Sequence, residues 1–405
     1  MAILSVNCGS SSLKYQLYDW DAQKALASGL IDRIGLKDSN IVHKYAGQKI
    51  ERKDNCADHQ TAFHLVLDFL LQEAKLINSL ADIEGVGHRI VHGGVNFSAS
   101  VLINDAALAE IKANKDLAPL HTPPNVVGIE SAREVMPDTP QVAIFDTAFH
   151  QTMPEYAYAY ALNYELAQKY KIRKYGFHGS SHRYVSERAA ALLDNRPGWK
   201  AIIVHVGNGS SLSAVKDGKC LDTSMGLTPL AGVIMGTRAG DIDPAIVQFL
   251  VHKTGETVEQ IMSRLNKESG MLGVSGFSDQ RDILAGAAQG DARCQLALQM
   301  QAYSVKKYIG AYLAALNGAD ALIFTAGIGE NSPDFRQAVC ENMSALGLVL
   351  DAAKNQEHSG AERLISAPDS QIKIFVVPTD EEFIIARDVI EIVRGNNYIS
   401  SGIAR

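Results

Sequence analysis

The chain has 405 residues, and its 38 Lys and Arg against 45 Asp and Glu give a formal net charge of −7. At ~150 residues per domain this length predicts two or three domains, and a composition of 46% hydrophobic and 20% charged residues excludes disorder, coiled coil and collagen-like arrays. The acidic balance argues against a nucleic-acid partner held by a basic field, and no apolar run approaches the ~20 residues of a membrane helix.

The opening MAILSVNCGSSSLKY has no basic segment ahead of its short apolar run, so no signal peptide is expected. Its alternation predicts strand, Gly-Ser turn, strand. Further strands are expected at 85–92 and 141–145, and helices at 61–77 and 125–136. The stretch His121-Thr122-Pro123-Pro124 reads as a stiff loop. A second strand–turn–strand lies at 201–206, 207–211 and 212–216, and Val206-Gly207-Asn208-Gly209-Ser210-Ser211 repeats the device of Val6-Asn7-Cys8-Gly9-Ser10-Ser11. The repetition in one setting predicts a duplicated domain. Asp243-Pro244 opens a helix to about His252, and another is expected at 292–316. The strand 321–325 runs into a third Gly-rich turn, 326–331, before Ser332-Pro333 caps the next helix. After a strand at 372–377, Thr379 as N-cap and Glu382 at N3 read as a capping box for the last helix. Strands and helices alternate throughout, so the fold class is α/β. The five cysteines, Cys8, Cys56, Cys220, Cys294 and Cys340, are scattered with no C-x-x-C, which predicts reduced thiols in a cytoplasm.

Each of the turns 7–12, 207–211 and 326–331 follows an apolar strand. Taken singly, each is also compatible with an ordinary tight turn. Together they point to phosphate binding, because glycine lets backbone N–H groups approach an anion. No G-x-x-x-x-G-K-[ST], no G-x-G-x-x-G after the first strand and no protein-kinase signature is present. Arg89 and Arg238 are flanked by glycines, and their planar forks suit carboxylate or phosphate oxygens; a surface ion pair is the alternative. His121 and His178 are candidates beside the commoner fate of a satisfied buried histidine, and His178 with His182 is a weak zinc pair. Asp146 closes a strand where acidic residues hold metals, or caps the following turn. Glu381 falls at N2 of the last helix, where the helix dipole also explains it.

These segments together resemble the acetokinase family of the acetate and sugar kinase/actin-like ATPase superfamily. The carriers are 6–14, His88 to Gly94, Ala118-Pro119-Leu120-His121, Phe145 to Gln151, Tyr175 to His182, Met235 to Pro244, and Phe324 to Ser332. The resemblance implies two duplicated actin-like (ribonuclease-H-like) domains with a cleft between them, residues 1–147 with 380–405 and residues 148–379, the second binding nucleotide. It implies reversible, magnesium-dependent in-line phosphoryl transfer from ATP to acetate in a cytoplasmic homodimer, with manganese as a possible substitute metal and small molecules as the only other partners. It assigns Asn7 and Glu381 to the metal, and Asp146, His178, Arg238 and His121 to catalysis. Arg89, Val91, Leu120, Phe177 and Pro229 go to the substrate. Lys14, His205, Val206, Gly207, Asn208, Gly209, Asp279, Gln280, Arg281, Gly327, Ile328, Gly329, Glu330 and Asn331 go to the nucleotide. Val95, Thr122 and Asp380 depart from the family's usual Glu, Asn and Asn. Acetate is ionised above pH ~4 and needs no general base, so an electrostatic, metal-positioning role is expected for Asp146. A propionate or other short-chain acyl kinase is the near rival; a sugar kinase and a non-metabolic actin-like ATPase are more remote.

Overall fold

The structure is a computed structural model describing residues 1–119 and 121–395. Leu120 and the tail 396–405, which belongs to the expected first domain, lie outside the described residues. The fold divides into two units, one of Met1–Phe149 with the segment from Asp380, the other of His150–Thr379.

In the first unit, period-two alternation sends Leu4, Val6 and Cys8 of β1 (Ala2–Gly9) to one face and Ile3 to the other. β1 pairs antiparallel with β2 (Ser12–Asp19), and β3 (Lys24–Asp32), β4 (Ser39–Tyr45) and β5 (Gln48–Asp54) extend that edge. On its other side β1 pairs in parallel with β6 (Ile83–Ile90), followed by β8 (Gln141–Phe145) and the short edge strand β7 (Val101–Leu102). Ala62, Phe63, Val66 and Ala132 cover the first face; Ile385, Ala386, Val389 and Ile390 cover the second. The last helix, Glu381–Val393, sits close on β6 because Gly87 has no side chain there. A Cβ would fall 2.3 Å from Cγ2 of Ile385.

The second unit repeats the plan. β9 (Lys200–Val206), β10 (Ser210–Lys216) and β11 (Lys219–Thr223) are antiparallel neighbours, and β9 pairs in parallel with β12 (Ala321–Thr325), then β14 (Lys373–Val376), with β13 (Arg363–Leu364) at the edge. The order β3-β2-β1-β6-β8 in one sheet matches β11-β10-β9-β12-β14 in the other, as the repeated turn predicts. The long helix Ala292–Leu316 contributes Val305, Ile309 and Tyr312 to the core over Ile202, Val204 and Phe324.

Several boundaries differ from expectation. Strand 85–92 begins earlier and ends at Ile90, so Val91 and His92 belong to the following turn. Helix 61–77 is His59–Asp68 followed by a π-helical turn, Phe69–Glu73, closed by Ala74 N donating to the Phe69 carbonyl. The stiff loop before residue 125 is the first turn of helix Thr122–Val135, where proline is preorganised and its missing N–H is no loss. The turn 326–331 is a helical turn, Ala326–Asn331, entered at Ala326 with φ 65°. The last helix is capped by Asp380, which accepts from Phe383 N at 2.9 Å, so Glu381 is N1 rather than N2. Thr379 cannot serve as the cap because it is engaged elsewhere: its hydroxyl donates to Ser181 Oγ and its N–H to Glu330 Oε1.

Candidate functional site

In the first unit the ladder itself brings three charged groups together. Arg89, near the end of β6, pairs with Ile144 of β8, and Asp146 extends that ladder by one bond, its N–H donating to Ile90. Nε and Nη2 of Arg89 donate to the two oxygens of Asp146 at 2.9 and 3.0 Å, while Nη1 lies 3.1 Å from Glu381. One helical position on, Glu382 meets Lys14 at 3.1 Å, and Lys14 faces Asn7 across the β1–β2 hairpin. Burial works against the Arg89 charge, but Asp146 and Glu381 more than offset this and hold its pKa above the ordinary value. Burial pushes Asp146 upward, against the pull of Arg89. With Asp380 this region holds four carboxyl groups against two cations.

The second unit has the opposite character. β9 stops at Val206 and β10 starts at Ser210, leaving the three-residue loop Gly207, Asn208 and Gly209. His178 takes a left-handed φ of 57° as N-cap of helix Gly179–Leu192, and its ring stacks on His205 at 4.3 Å between centroids. His205 is fixed from behind by Ser181 Oγ at 2.7 Å. A Cβ on Gly209 would lie 3.0 Å from His178 Nε2 and 3.6 Å from Arg238 Nη1, so glycine lets both side chains close on this loop. Arg238 is half-buried, and burial lowers its pKa. Its bonds go to the Pro229 carbonyl and to Met235 Sδ; no carboxylate partners it among the described residues.

Beside the loop opens a cavity of about 570 Å³, lined by Gly207, Asn208, Gly236, Asp279, Gln280, Arg281, Gly327, Ile328 and Asn331, among others. That volume suits a small-molecule site. Asp279 caps helix Gln280–Ala288 and pairs with Arg281 at 2.6 Å.

The expected nucleotide residues therefore separate. Lys14 belongs to the acidic cluster of the first unit. His205, Val206, Gly209, Gly329 and Glu330 do not line the cavity. Glu330 is structural: its Oε1 accepts from Ala326 N at 2.7 Å and Thr379 N at 3.1 Å, which stabilises the strained entry at Ala326. Among the substrate and catalytic residues, Val91 and His121 belong to the first unit, and Phe177 and Pro229 to the second. Phe177 is buried with its carbonyl bonded to His150; Leu120 lies outside the described residues. Sequence reasoning missed Arg336, fully buried and donating to the carbonyls of Gly329 and Glu330 and to Asn355, which pins the 326–331 turn from below. It also missed Gln301 in the cavity wall. Both sit inside helices whose local pattern reads as ordinary.

Two units of matched strand order, each opening on a hairpin with glycine at its turn, define the class as a two-domain enzyme of actin-like ATPase type. The family model for the acetokinase family matches residues 2–387. An acetate kinase of Desulfitobacterium hafniense is 53% identical over 97% of this chain and 100% of its own length. The solved acetate kinase of Porphyromonas gingivalis matches with TM-score 0.93 at 43% identity, covering 97% of this chain and 99% of that one. A solved propionate kinase of Francisella tularensis matches with TM-score 0.90 at 44% identity, covering 96% and 98%. The chain belongs to the acetokinase family.

Proposed function

We propose that this enzyme transfers the terminal phosphoryl group of ATP to acetate, reversibly and in line, giving ADP and acetyl phosphate. The observation that carries the reading is Arg238: a half-buried guanidinium with no carboxylate partner among the described residues, close with His178 to the glycine loop whose Gly207 and Asn208 line the cavity. Phosphoryl transfer spreads charge over equatorial oxygens, and donors fixed in advance stabilise it. Arg238 and His178 are suited to that charge, and the cavity with Asp279, Arg281 and the 327–331 turn is suited to the nucleotide, making residues 148–379 the nucleotide-binding domain and residues 1–147 with 380–405 the other.

Arg89 is assigned to the acetate carboxylate, Val91, Leu120, Phe177 and Pro229 to its acyl tail, and His121 to the support of the transferred group. The oxygen donors of Asp146, Glu381 and Asn7 fit magnesium, or manganese, by chemistry: a hard cation takes carboxylate and amide oxygens, and the excess of carboxyl groups over cations around Arg89 favours one. When bound, the metal neutralises charge on the β- and γ-phosphates. Asp146 needs no proton from acetate, which is already the nucleophilic anion above pH ~4.

The chain works as a homodimer in the cytoplasm. Helix Ala245–Thr254, AIVQFLVHKT, buries none of its residues within the chain, with Phe249 60% exposed and Ile246 39%. Such an apolar helix supports a partner surface. Five unbridged, buried cysteines are consistent with a reducing compartment.

The test traps acyl phosphate with hydroxylamine, using ATP, magnesium and straight-chain acids of two to four carbons. Acetate and propionate should turn over and butyrate poorly. The likeness to a propionate kinase makes propionate the second reading, since one methylene decides only ~1–3 kcal/mol. Butyrate equal to acetate would sink the pocket assignment.

A further inference from the structure

One side chain in the cavity wall has no place in an ordinary core. Gln301, on the helix Ala292–Leu316, is 1% exposed, and its Nε2 finds no hydrogen-bond partner among the described residues. Its Oε1 accepts a long 3.4 Å bond from Nε2 of Gln280, and both glutamines line the cavity. Around them stand Met271, Leu284 and Ile328, an apolar lining suited to a flat heterocycle. A buried donor left unpaired is costly and uncommon in native proteins, so a donor buried in the wall of a cavity is suited to a ligand that arrives later.

The chemistry of the pair narrows that ligand. A single bond between two amides consumes one donor group and one acceptor. It leaves the carbonyl of one glutamine and the amino group of the other for the cavity. Amide oxygen and nitrogen are assigned from the bonding network, but turning both amides over leaves the same offer, one donor and one acceptor. Adenine presents this complement on one edge, an exocyclic amine beside a ring nitrogen, and amide side chains pair with it in that way.

We propose that Gln301, oriented by Gln280, is a base-recognition residue that reads the substituent at position 6 of the purine of the bound nucleotide. The inference rests on the nucleotide reading of this cavity and deepens it. A 6-oxo purine is accommodated by turning both amides over. A purine with hydrogen at position 6 leaves one amide group unanswered.

The experiment is calorimetric binding of ADP, GDP and purine riboside diphosphate to the full chain with magnesium. Wild type should bind ADP about tenfold more tightly than purine riboside diphosphate. Gln301→Leu should weaken ADP by about that factor and bring the ratio of the two close to one. Gln301→Glu replaces the offered donor with a second acceptor, which an adenine amine can meet and which repels a 6-oxo group, so it should raise the ADP preference over GDP. Should Gln301→Leu fold poorly, Gln280→Leu, on the more exposed side, should lower the same ratio to a smaller degree. Wild-type indifference to position 6, or discrimination unchanged in both glutamine variants, overturns the proposal. Tight, discriminating ADP binding without acyl phosphate in the hydroxylamine assay would instead overturn the acetate reading and leave this one standing; no binding of any of the three nucleotides removes both.

Discussion

The two hairpins that begin the two sheets differ most where their sequences look most alike. In the first unit β1 runs on to Gly9, which pairs with Ser12, so only Ser10 and Ser11 form the turn. The carbonyls of Cys8 and Gly9 are taken by Asn125 Nδ2 at 3.0 Å and His59 Nε2 at 2.8 Å, and the turn is anchored to its own helices. In the second unit the ladder stops at Val206, the loop is longer by one residue, and two backbone bonds hold it, Gly207 N to Gly209 O and Gly236 N to Asn208 O, both at 3.1 Å, with Ser210 Oγ donating to the Gly207 carbonyl at 3.4 Å. The arginines diverge in the same sense. Arg89 is gripped by two carboxylates, whereas Arg238 has none among the described residues. One strand order thus presents a cluster of carboxylates around Arg89 in one unit and an arginine without a carboxylate partner among the described residues in the other.

The largest loss is expected at Arg238. Arg238→Ala should lower kcat by ~10²–10³ through loss of a fixed transition-state donor, with a much smaller change in KM for acetate; steady-state hydroxamate assays read both. In the carboxylate cluster, Asp146→Asn should cost about tenfold to a hundredfold in kcat and raise the magnesium needed for half-maximal rate, while acetate KM stays within a few-fold. An acidic limb of the wild-type pH profile that vanishes in this variant, with magnesium demand unchanged, would make Asp146 a base instead.

The glycines sharpen the contrast. A Cβ on Gly209 meets the ring of His178 at 3.0 Å, and on Gly9 it meets only the movable Ser12 Oγ at 2.7 Å. Gly209→Ala should therefore depress kcat with little change in melting temperature, and Gly9→Ala should leave kcat near wild type. Arg89→Ala leaves the carboxylates of Asp146 and Glu381 facing each other, which costs stability by ~1–3 kcal/mol after allowance for partial solvent access. Because a cation can replace the lost guanidinium, magnesium should raise the melting temperature of this variant more than that of wild type.

The least local effect is on pH. Burial lowers the pKa of His88 in the first unit and His150 in the second from 6.5 to about 4. The unfolded chain takes up protons at both sites before the folded chain does. Stability is therefore full above about pH 6.5 and falls as pH drops toward about 4, beyond which the loss levels off. Melting temperatures across that window should fall in wild type and fall less in His88→Gln.

Much of this plan is legible in the residues. The alternation at Leu4, Val6 and Cys8 and the turn repeated at Gly207 give both hairpins, and the apolar run at 321–325 gives β12 to the residue. What escapes is decided by partners distant in sequence. Thr379 reads as a helix cap until Ser181 and Glu330 engage it, and Asp380 takes over. Glu330 reads as part of a phosphate turn, but it is needed to satisfy Ala326 N. Gln301 lies in a helix with ordinary periodicity, and only tertiary packing leaves its amide unpaired in a cavity wall. The asymmetry of the two arginines is likewise invisible locally, because both sit between glycines in the sequence and the carboxylates that grip Arg89 come from other elements.

The proposed division of labour, with Arg238 meeting the transferred phosphoryl charge and Arg89 holding acetate, is tested most directly by following acyl-phosphate formation in Arg89→Ala and Arg238→Ala as acetate is raised to saturation at fixed, saturating ATP and magnesium. Arg89→Ala should recover most of the wild-type rate at high acetate, while Arg238→Ala stays about a hundredfold or more below it at every concentration. Equal, unrecoverable losses in both variants, or recovery by Arg238→Ala alone, would contradict it.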